Sequence, residues 1–386
     1  MDKNNLVILI LAFGTFGILT TEMGFVGILP LVATQFGVNV VDAGLFVSLF
    51  ALGVAIAGLV MPLLFSKVNY KKSLLLVLGI FIISNICFAF ITDFNIALIL
   101  RVIPAFFHPI FCSFALTLAA QLAKEGEELK ATSRVIMGVS AGMILGVPIV
   151  SSLSYSESFE LAMLFMAAIN IIAFISLAIL MPSIKPKEGI SYSGQLKVLK
   201  KPSFILSIIG VLLISAGLYS VYSYVSLFLG LSNIVGNFLS VVLFLYGVFS
   251  ICGNYIAGHL LSKVPNKTVL IYPFIISIIF LLLFGFYDIV MAIIILMIIW
   301  GVFAGIGNNI QQFWITSAAP EAPEFANGIF LSSGNIGITL GTTLSGIAIS
   351  ALGVRYIVFV GIVCSLLAFV FFVLRNRASK SETNLN

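Results

Sequence analysis

Charge is what this chain has least of. Only 9% of its 386 residues are Asp, Glu, Lys or Arg, while 61% are hydrophobic, against about a quarter charged in a soluble domain. A water-soluble fold is thereby excluded, because too few polar residues exist to cover one, and the solvent must be lipid. Period-two alternation is also missing from the apolar runs, which excludes a closed barrel and leaves helices to satisfy the backbone in hydrocarbon. Cysteine is scarce: Cys87, Cys112, Cys252 and Cys364 lie inside apolar runs with no CxxC spacing or histidine pair. Neither a disulfide framework nor a metal site is indicated. No GxxxxGK[ST], HExxH or GxSxG pattern occurs, so neither nucleotide hydrolysis nor bond-making chemistry is indicated, no cofactor is expected, and the chain does not read as an enzyme. The start, Met1 to Asn5, lacks a cleavable-signal pattern, and the first helix is expected to remain in the mature chain. A net charge of +5 would suggest nucleic acid in a soluble protein, but here the basic residues orient the chain instead.

What is present is a series of apolar runs of about 20 residues, each long enough to span a bilayer. Breaks at charges, Gly/Pro clusters and Asn/Asp turns predict an all-α polytopic membrane protein with twelve helices, at 6–34, 42–66, 73–92, 95–122, 133–155, 160–181, 204–230, 237–261, 268–286, 289–316, 325–350 and 354–374. An even count puts both termini on one side. That side then holds Lys3, Lys67, Lys71, Lys72, Lys124, Lys130, Arg134, Lys185, Lys187, Lys197, Lys200, Lys201, Lys263, Lys267, Arg375, Arg377 and Lys380, with only Arg101 and Arg355 elsewhere. The positive-inside rule makes that side cytoplasmic. The polar stretch 183–203 reads as a linker between two six-helix halves, 1–182 and 204–375, with 376–386 a cytoplasmic tail. The run Leu64 to Lys71 after the second helix recurs as Leu260 to Lys267 after the eighth, as a duplicated unit would have it. Two such repeats around a site near mid-bilayer is one established transporter design.

Within this apolar background Glu22 and Arg101 are ionised groups set deep in membrane helices, each costing roughly 2.5–3.5 kcal/mol to insert. Their positions in antiparallel helices put both at a similar depth, within reach of each other. A carboxylate desolvated in a cavity and drawn down by a nearby guanidinium can pass between protonated and charged forms, as a proton antiporter requires. The competing reading is a permanent Glu22–Arg101 ion pair that only fastens two helices. His108, two turns beyond Arg101 on the same face, is placed to relay a proton or donate to substrate, with a hydrogen-bonded packing histidine as the alternative.

Several motifs together resemble the major facilitator superfamily, and within it the twelve-helix drug:proton antiporter family, on the branch of arabinose-efflux-like, chloramphenicol-exporter and purine-efflux permeases. They are Thr20 to Pro30 in the first helix, Arg101 to His108 in the fourth, Gly138, Gly142, Gly146 and Pro148 in the fifth, and Trp300-Gly301 with Gln311-Gln312 in the tenth. The resemblance covers nearly the whole chain. It implies a secondary transporter working by alternating access, with proton-coupled efflux of a drug or amphipathic metabolite first, and a purine, nucleoside or sugar as the alternative cargo. A transport-silent membrane sensor or assembly partner is the reading from another class. Its expected partners are a small-molecule substrate, protons and the bilayer, with no nucleic acid, as a monomer in a bacterial cell membrane. In the loop between helices 2 and 3 the family's Gly, Asp-Arg and Gly-Arg positions are filled by Pro62, Ser66, Lys67, Asn69 and Tyr70, so the acidic gating residue is missing. Lys67 and Lys71 remain as that loop's candidate gating cations, with Lys71 and Lys72 able to meet lipid headgroups.

Helix 7 carries Ser215, Tyr219, Tyr222 and Ser226 on one stripe, a candidate cavity wall whose outer tyrosines also fit interfacial anchors. Thr15 and Phe25 in helix 1, and Asn308, Gln311 and Gln312 in helix 10, complete the candidate lining, the three amides being equally able to bond neighbouring helices. Gly138, Gly142 and Gly146, with Pro148 beyond, read as a close-packing and rocking surface. Ser333, Gly337, Gly341 and Ser345 repeat it in helix 11.

Overall fold

The computed structural model describes residues 3–125, 127–184 and 195–385. Among these residues twelve helices are long and apolar enough to cross a membrane: α1 Asn4–Gly27, α2 Val40–Leu64, α3 Tyr70–Phe90, α4 Phe94–Leu122, α5 Lys130–Ser156, α6 Phe159–Leu180, α7 Pro202–Gly230, α8 Gly236–Lys263, α9 Pro265–Gly285, α10 Val290–Thr316, α11 Phe325–Leu352 and α12 Val354–Lys380. The polar turns that separate them supply their starts. Side chains of Asn39, Asn69, Asp93 and Ser158 accept from the backbone N–H of Asp42, Lys72, Ile96 and Leu161 at 2.8, 3.3, 2.9 and 3.1 Å, satisfying donors that a helix N-terminus leaves open.

Five of the spans differ from unbroken helices, with α2 split at Gly44 and α12 opening on a 3₁₀ turn Val354–Tyr356; the other three are α1, α5 and α7. The expected single helix 6–34 is an α-helix Lys3–Met23, a 3₁₀ turn Gly24–Gly27 and a separate helix Leu29–Phe36 with proline in its first turn. Gly24 and Gly27 weaken the ladder, and Pro30 lacks an N–H and is tolerated only where a helix begins. In α5 the ladder widens to a π-turn at Gly142–Gly146 before restarting at Val147 with Pro148 in its first turn. In α7 the helix Pro202–Tyr222 gives way to a short helix Val225–Gly230. At the other end, the helix expected to stop near residue 374 continues to Leu385. Residues 185–194, most of the expected linker and including Lys185 and Lys187, lie outside the described residues.

Helices this apolar on every side gain little by hiding one face from lipid, so close approach of backbones decides their pairing. Gly138, Gly142 and Gly146 of α5 seat against the Ala12 carbonyl, the Leu19 side chain and the Thr20 side chain of α1. Gly337 and Gly341 of α11 repeat this against Ser215 and Ala216 of α7, and Gly253, Gly301 and Gly305 join α8 to α10 over main-chain carbonyls. At each of these positions a β-carbon would collide with its neighbour. The chain forms two compact units, one of Met1–Ile190 with Gly236–Phe244, the other of Ser191–Val235 with Leu245–Asn386.

Candidate functional site

In the first unit the site begins where α1 changes helix type. Thr21 and Glu22 belong to the last turn of the α-helix Lys3–Met23, where carbonyls run out of intrahelical donors. Arg101 of α4 fills that gap. Its Nη1 donates to the Thr21 carbonyl at 2.7 Å and its Nη2 to the Glu22 carbonyl at 2.6 Å. Its Nε donates to the Phe46 carbonyl of α2 at 3.1 Å. The guanidinium carbon lies 4.1 Å from the Phe25 ring centroid and 4.3 Å from that of Phe50. With 2% of its surface exposed, this cation is held by peptide dipoles and ring faces, helped by the negative end of the α1 dipole.

The carboxylate of Glu22 turns elsewhere. Its Oε2 lies 3.0 Å from Nε2 of His108, and both residues are 8% exposed. Cys112 Sγ lies 3.8 Å from the same nitrogen, the Phe50 ring meets the imidazole edge-on, and His108 Nδ1 is buried without a hydrogen-bond partner among the described residues. Glu22 and Arg101 therefore meet as expected, but through the Glu22 carbonyl. The permanent Glu22–Arg101 ion pair is corrected: two successive carbonyls at a helix end match the planar guanidinium fork, which leaves the carboxylate to the imidazole. One turn of side chain away, the Thr21 hydroxyl accepts from Asn85 of α3 at 3.0 Å and from Asn170 of α6 at 3.3 Å, tying α1 to both helices.

The second unit holds a buried aromatic group. Tyr222 of α7 stacks on Tyr246 of α8 with centroids 5.0 Å apart, Trp300 of α10 stands edge-on to both, and Phe280 of α9 backs the indole at 5.4 Å. Tyr219 lies perpendicular to Tyr222. Trp300 is fully buried and its Nε1 has no hydrogen-bond partner among the described residues. About two turns before Tyr222 in α7 and three turns beyond Trp300 in α10, Ser215 donates to Gln311 Oε1, and Gln311 Nε2 donates to the Gly307 carbonyl at 3.2 Å. Phenol and indole edges thus gather among flat apolar faces, a combination suited to organic ligands.

The family model described as Major Facilitator Superfamily matches residues 11–323 and 233–386. The chain belongs to the Major Facilitator Superfamily. Like other facilitators it is a transport protein rather than an enzyme, and a multi-pass protein of a bacterial cell membrane. It is 31% identical over 369 residues to the uncharacterized MFS-type transporter YtbD of Bacillus subtilis, covering 93% of each chain. It is 28% identical over 355 residues to a probable sugar efflux transporter of Helicobacter acinonychis, covering 92% of this chain and 90% of the relative. The facilitator fold itself is shared with the crystal structure of nucleoside transporter NupG, with a TM-score of 0.76 at 16% identity over 98% of this chain and 100% of that one.

Within this facilitator the remaining candidate residues fall as follows. Thr15 is fully buried and donates to its own helix at Leu11, and Phe25 covers Arg101. Gln312 is exposed and donates to Asn327 of α11, and Asn308 is exposed. The neighbouring Asn309 makes the interhelical bond, donating to Asn254 of α8 at 2.8 Å. Lys67 is exposed. Lys71 Nζ donates at 2.7 Å to the Ala178 carbonyl, closing the C-terminal end of α6 as cations favour. Asn69 and Tyr70 bond to Ser183 and Ile184, so the loop with the missing acidic residue is fastened within the first unit. Sequence reasoning passed over Asn85, Asn170 and Tyr246. The two asparagines carried a usable signal, being lone amides in apolar spans.

Proposed function

We propose that this facilitator is a proton-coupled exporter of a small organic molecule, cycling by alternating access between the two six-helix halves 1–182 and 204–375, with both termini cytoplasmic and Glu22 as the exchangeable acid. The observation that carries the reading is the Glu22 carboxylate, buried in a membrane span while Arg101 is satisfied by main-chain carbonyls. Such an acid can gain or lose a proton without dismantling the arginine's own contacts. The one-sided placement of basic residues supports the orientation. One proton moved inward through about 100 mV supplies about 2.3 kcal/mol, enough for roughly a 50-fold gradient of one uncharged substrate molecule.

The buried tyrosine–tryptophan group, with the Ser215–Gln311 pair farther along α7 and α10, supports a neutral or cationic substrate with a flat apolar face, a drug or amphipathic metabolite. A sugar is the second reading, favoured by the likeness to the Helicobacter relative named as a probable sugar efflux transporter. Reconstituted protein under an imposed pH gradient, offered a cationic dye, chloramphenicol, a purine analogue and a pentose, separates these. Gradient-driven flux of one of them that vanishes in Glu22→Gln is the expected result. Undiminished proton-driven flux by that variant removes Glu22 from the coupling role.

A further inference from the structure

We propose that His108 carries the exchanged proton jointly with Glu22, carboxylate and imidazole forming one titrating pair; this rests on the proton-coupled reading above. The geometry divides the labour among three groups that the sequence places together. Arg101 spends its Nε, Nη1 and Nη2 on carbonyls of α1 and α2 and lies against two phenylalanine rings. A guanidinium is not deprotonated in proteins, so Arg101 contributes a fixed charge and positions α1. The carboxylate it leaves free has one ionic partner among the described residues, His108.

A histidine kept only for packing would have both ring nitrogens satisfied. His108 has one. Nε2 faces Glu22 Oε2 at 3.0 Å, and Nδ1, buried in a residue 8% exposed, has no hydrogen-bond partner among the described residues. With Nε2–H donating to the carboxylate, the neutral imidazole keeps a lone pair on Nδ1. A proton added there forms one N–H bond and turns a carboxylate–imidazole pair carrying one negative charge into a neutral carboxylate–imidazolium pair, and loss of that proton reverses the step. No other bond changes. The groups facing the imidazole are Glu22 from α1, Cys112 on its own helix and the uncharged Phe50 ring from α2, and the fixed charge of Arg101 lies 4.3 Å from that same ring. The unprotonated pair attracts a cationic or hydrogen-bond-donating ligand and the protonated pair does not, which is the alternation an antiporter needs.

The chain has two histidines, and His259 is exposed, so His259→Gln leaves one imidazole to observe. Full-length His259→Gln protein in lipid nanodiscs, labelled with ¹⁵N-histidine, is titrated by NMR from about pH 5 to about pH 9, with and without Glu22→Gln. The expected result is a one-proton step at His108, displaced by at least about one pH unit when Glu22 is neutralised. In proteoliposomes, His108→Gln keeps a donor for the carboxylate but cannot titrate. Gradient-driven flux of the panel substrate should fall at least about a hundredfold with a flattened pH profile. An imidazole fixed in one protonation state throughout, or a step indifferent to Glu22→Gln, overturns the pair. So does His108→Gln with wild-type proton-driven flux. Proton-driven flux in wild type beside an untitrated imidazole strikes His108 alone. Absence of proton-driven flux in wild type strikes the exporter reading and the exchanged proton with it.

Discussion

Glu22 offers its two ends to different partners: the carboxylate lies 3.0 Å from His108 Nε2, and the carbonyl accepts from Arg101 Nη2 at 2.6 Å. Side-chain and main-chain functions at this position are therefore separable. Glu22→Gln should leave thermal stability in detergent nearly unchanged, because Arg101 keeps its acceptors. Arg101→Lys loses the fork and at least one charged hydrogen bond, each of which contributes about 1.5–3 kcal/mol. A clear fall in melting temperature for Arg101→Lys and almost none for Glu22→Gln checks this; equal falls in the two would contradict it.

The glycine faces can be graded. Gly138→Ala drives a methyl into the Ala12 carbonyl and should cost about 1–3 kcal/mol by overpacking, while Gly142→Leu, blocked by Leu19 and the Phe16 carbonyl, should abolish transport. Gly258 in α8 has nothing near its missing β-carbon, and Gly258→Ala should raise stability by up to about 0.5–1 kcal/mol. Unfolding of the three variants side by side, with flux measured on those that fold, would expose any inversion of this order.

Trp300→Phe removes a buried indole N–H that has no partner among the described residues. Because an unpaired buried donor is a liability, stability should be kept or slightly improved. If the indole edge binds substrate, affinity should fall about tenfold, or about 1.4 kcal/mol. Ligand-induced thermal shifts on wild type and variant read both quantities in one series, and unchanged affinity would place Trp300 in packing alone.

Outside the spans, Lys201 Nζ lies 2.6 Å from Glu321 Oε1 in the second unit. Partial burial works against the Glu321 charge, but the hydrogen bond from Lys201, a backbone hydrogen bond and the Lys201 charge prevail and hold the carboxyl below its ordinary range. A lowered folded value means the stabilisation is present above the ordinary value of 4.5 and is lost as pH falls through the lowered one. Both side chains are substantially solvated, so a double-mutant cycle at neutral pH should give about 0.2–1 kcal/mol, vanishing in strong acid. A coupling that persists in acid would rule out this pair as its source.

Much of the architecture was legible because lipid imposes simple rules. Apolar length gave the twelve spans, and Asn69, Asp93 and Ser158 announced helix starts by side-chain chemistry that operates within three residues. The interruptions were harder, since Gly24, Gly27 and Pro30 permit a break without fixing where it falls. The glycine spacing in α5 correctly pointed to a close contact, yet the π-turn within it depends on the fit to Thr20 and Leu19, which sequence spacing does not contain. Arg375, expected on a polar cytoplasmic edge, is buried, with its guanidinium 4.1 Å from the Trp314 ring and bonded to Ser317; long side chains can fold back onto a helix bundle.

The candidate site was legible in its members and not in its pairings. Glu22, Arg101 and His108 stood out because ionisable groups are costly in hydrocarbon. Which carboxylate met which cation depended on backbone carbonyls, a class of partner that residue identities do not reveal. Tyr246 gave no signal, being one tyrosine in an apolar run, and acquires meaning only from the Tyr222 and Trp300 rings around it.

That same reliance on carbonyls shapes how this region can vary over generations. Any residue at positions 21 and 22 presents the same oxygens to Arg101, so the arginine places no demand on side-chain identity there. What it requires is that the helix stop where it does, just before Gly24. Among diverged relatives, substitutions at 101 should therefore travel with changes at Gly24 and Gly27, while position 22 changes on its own schedule.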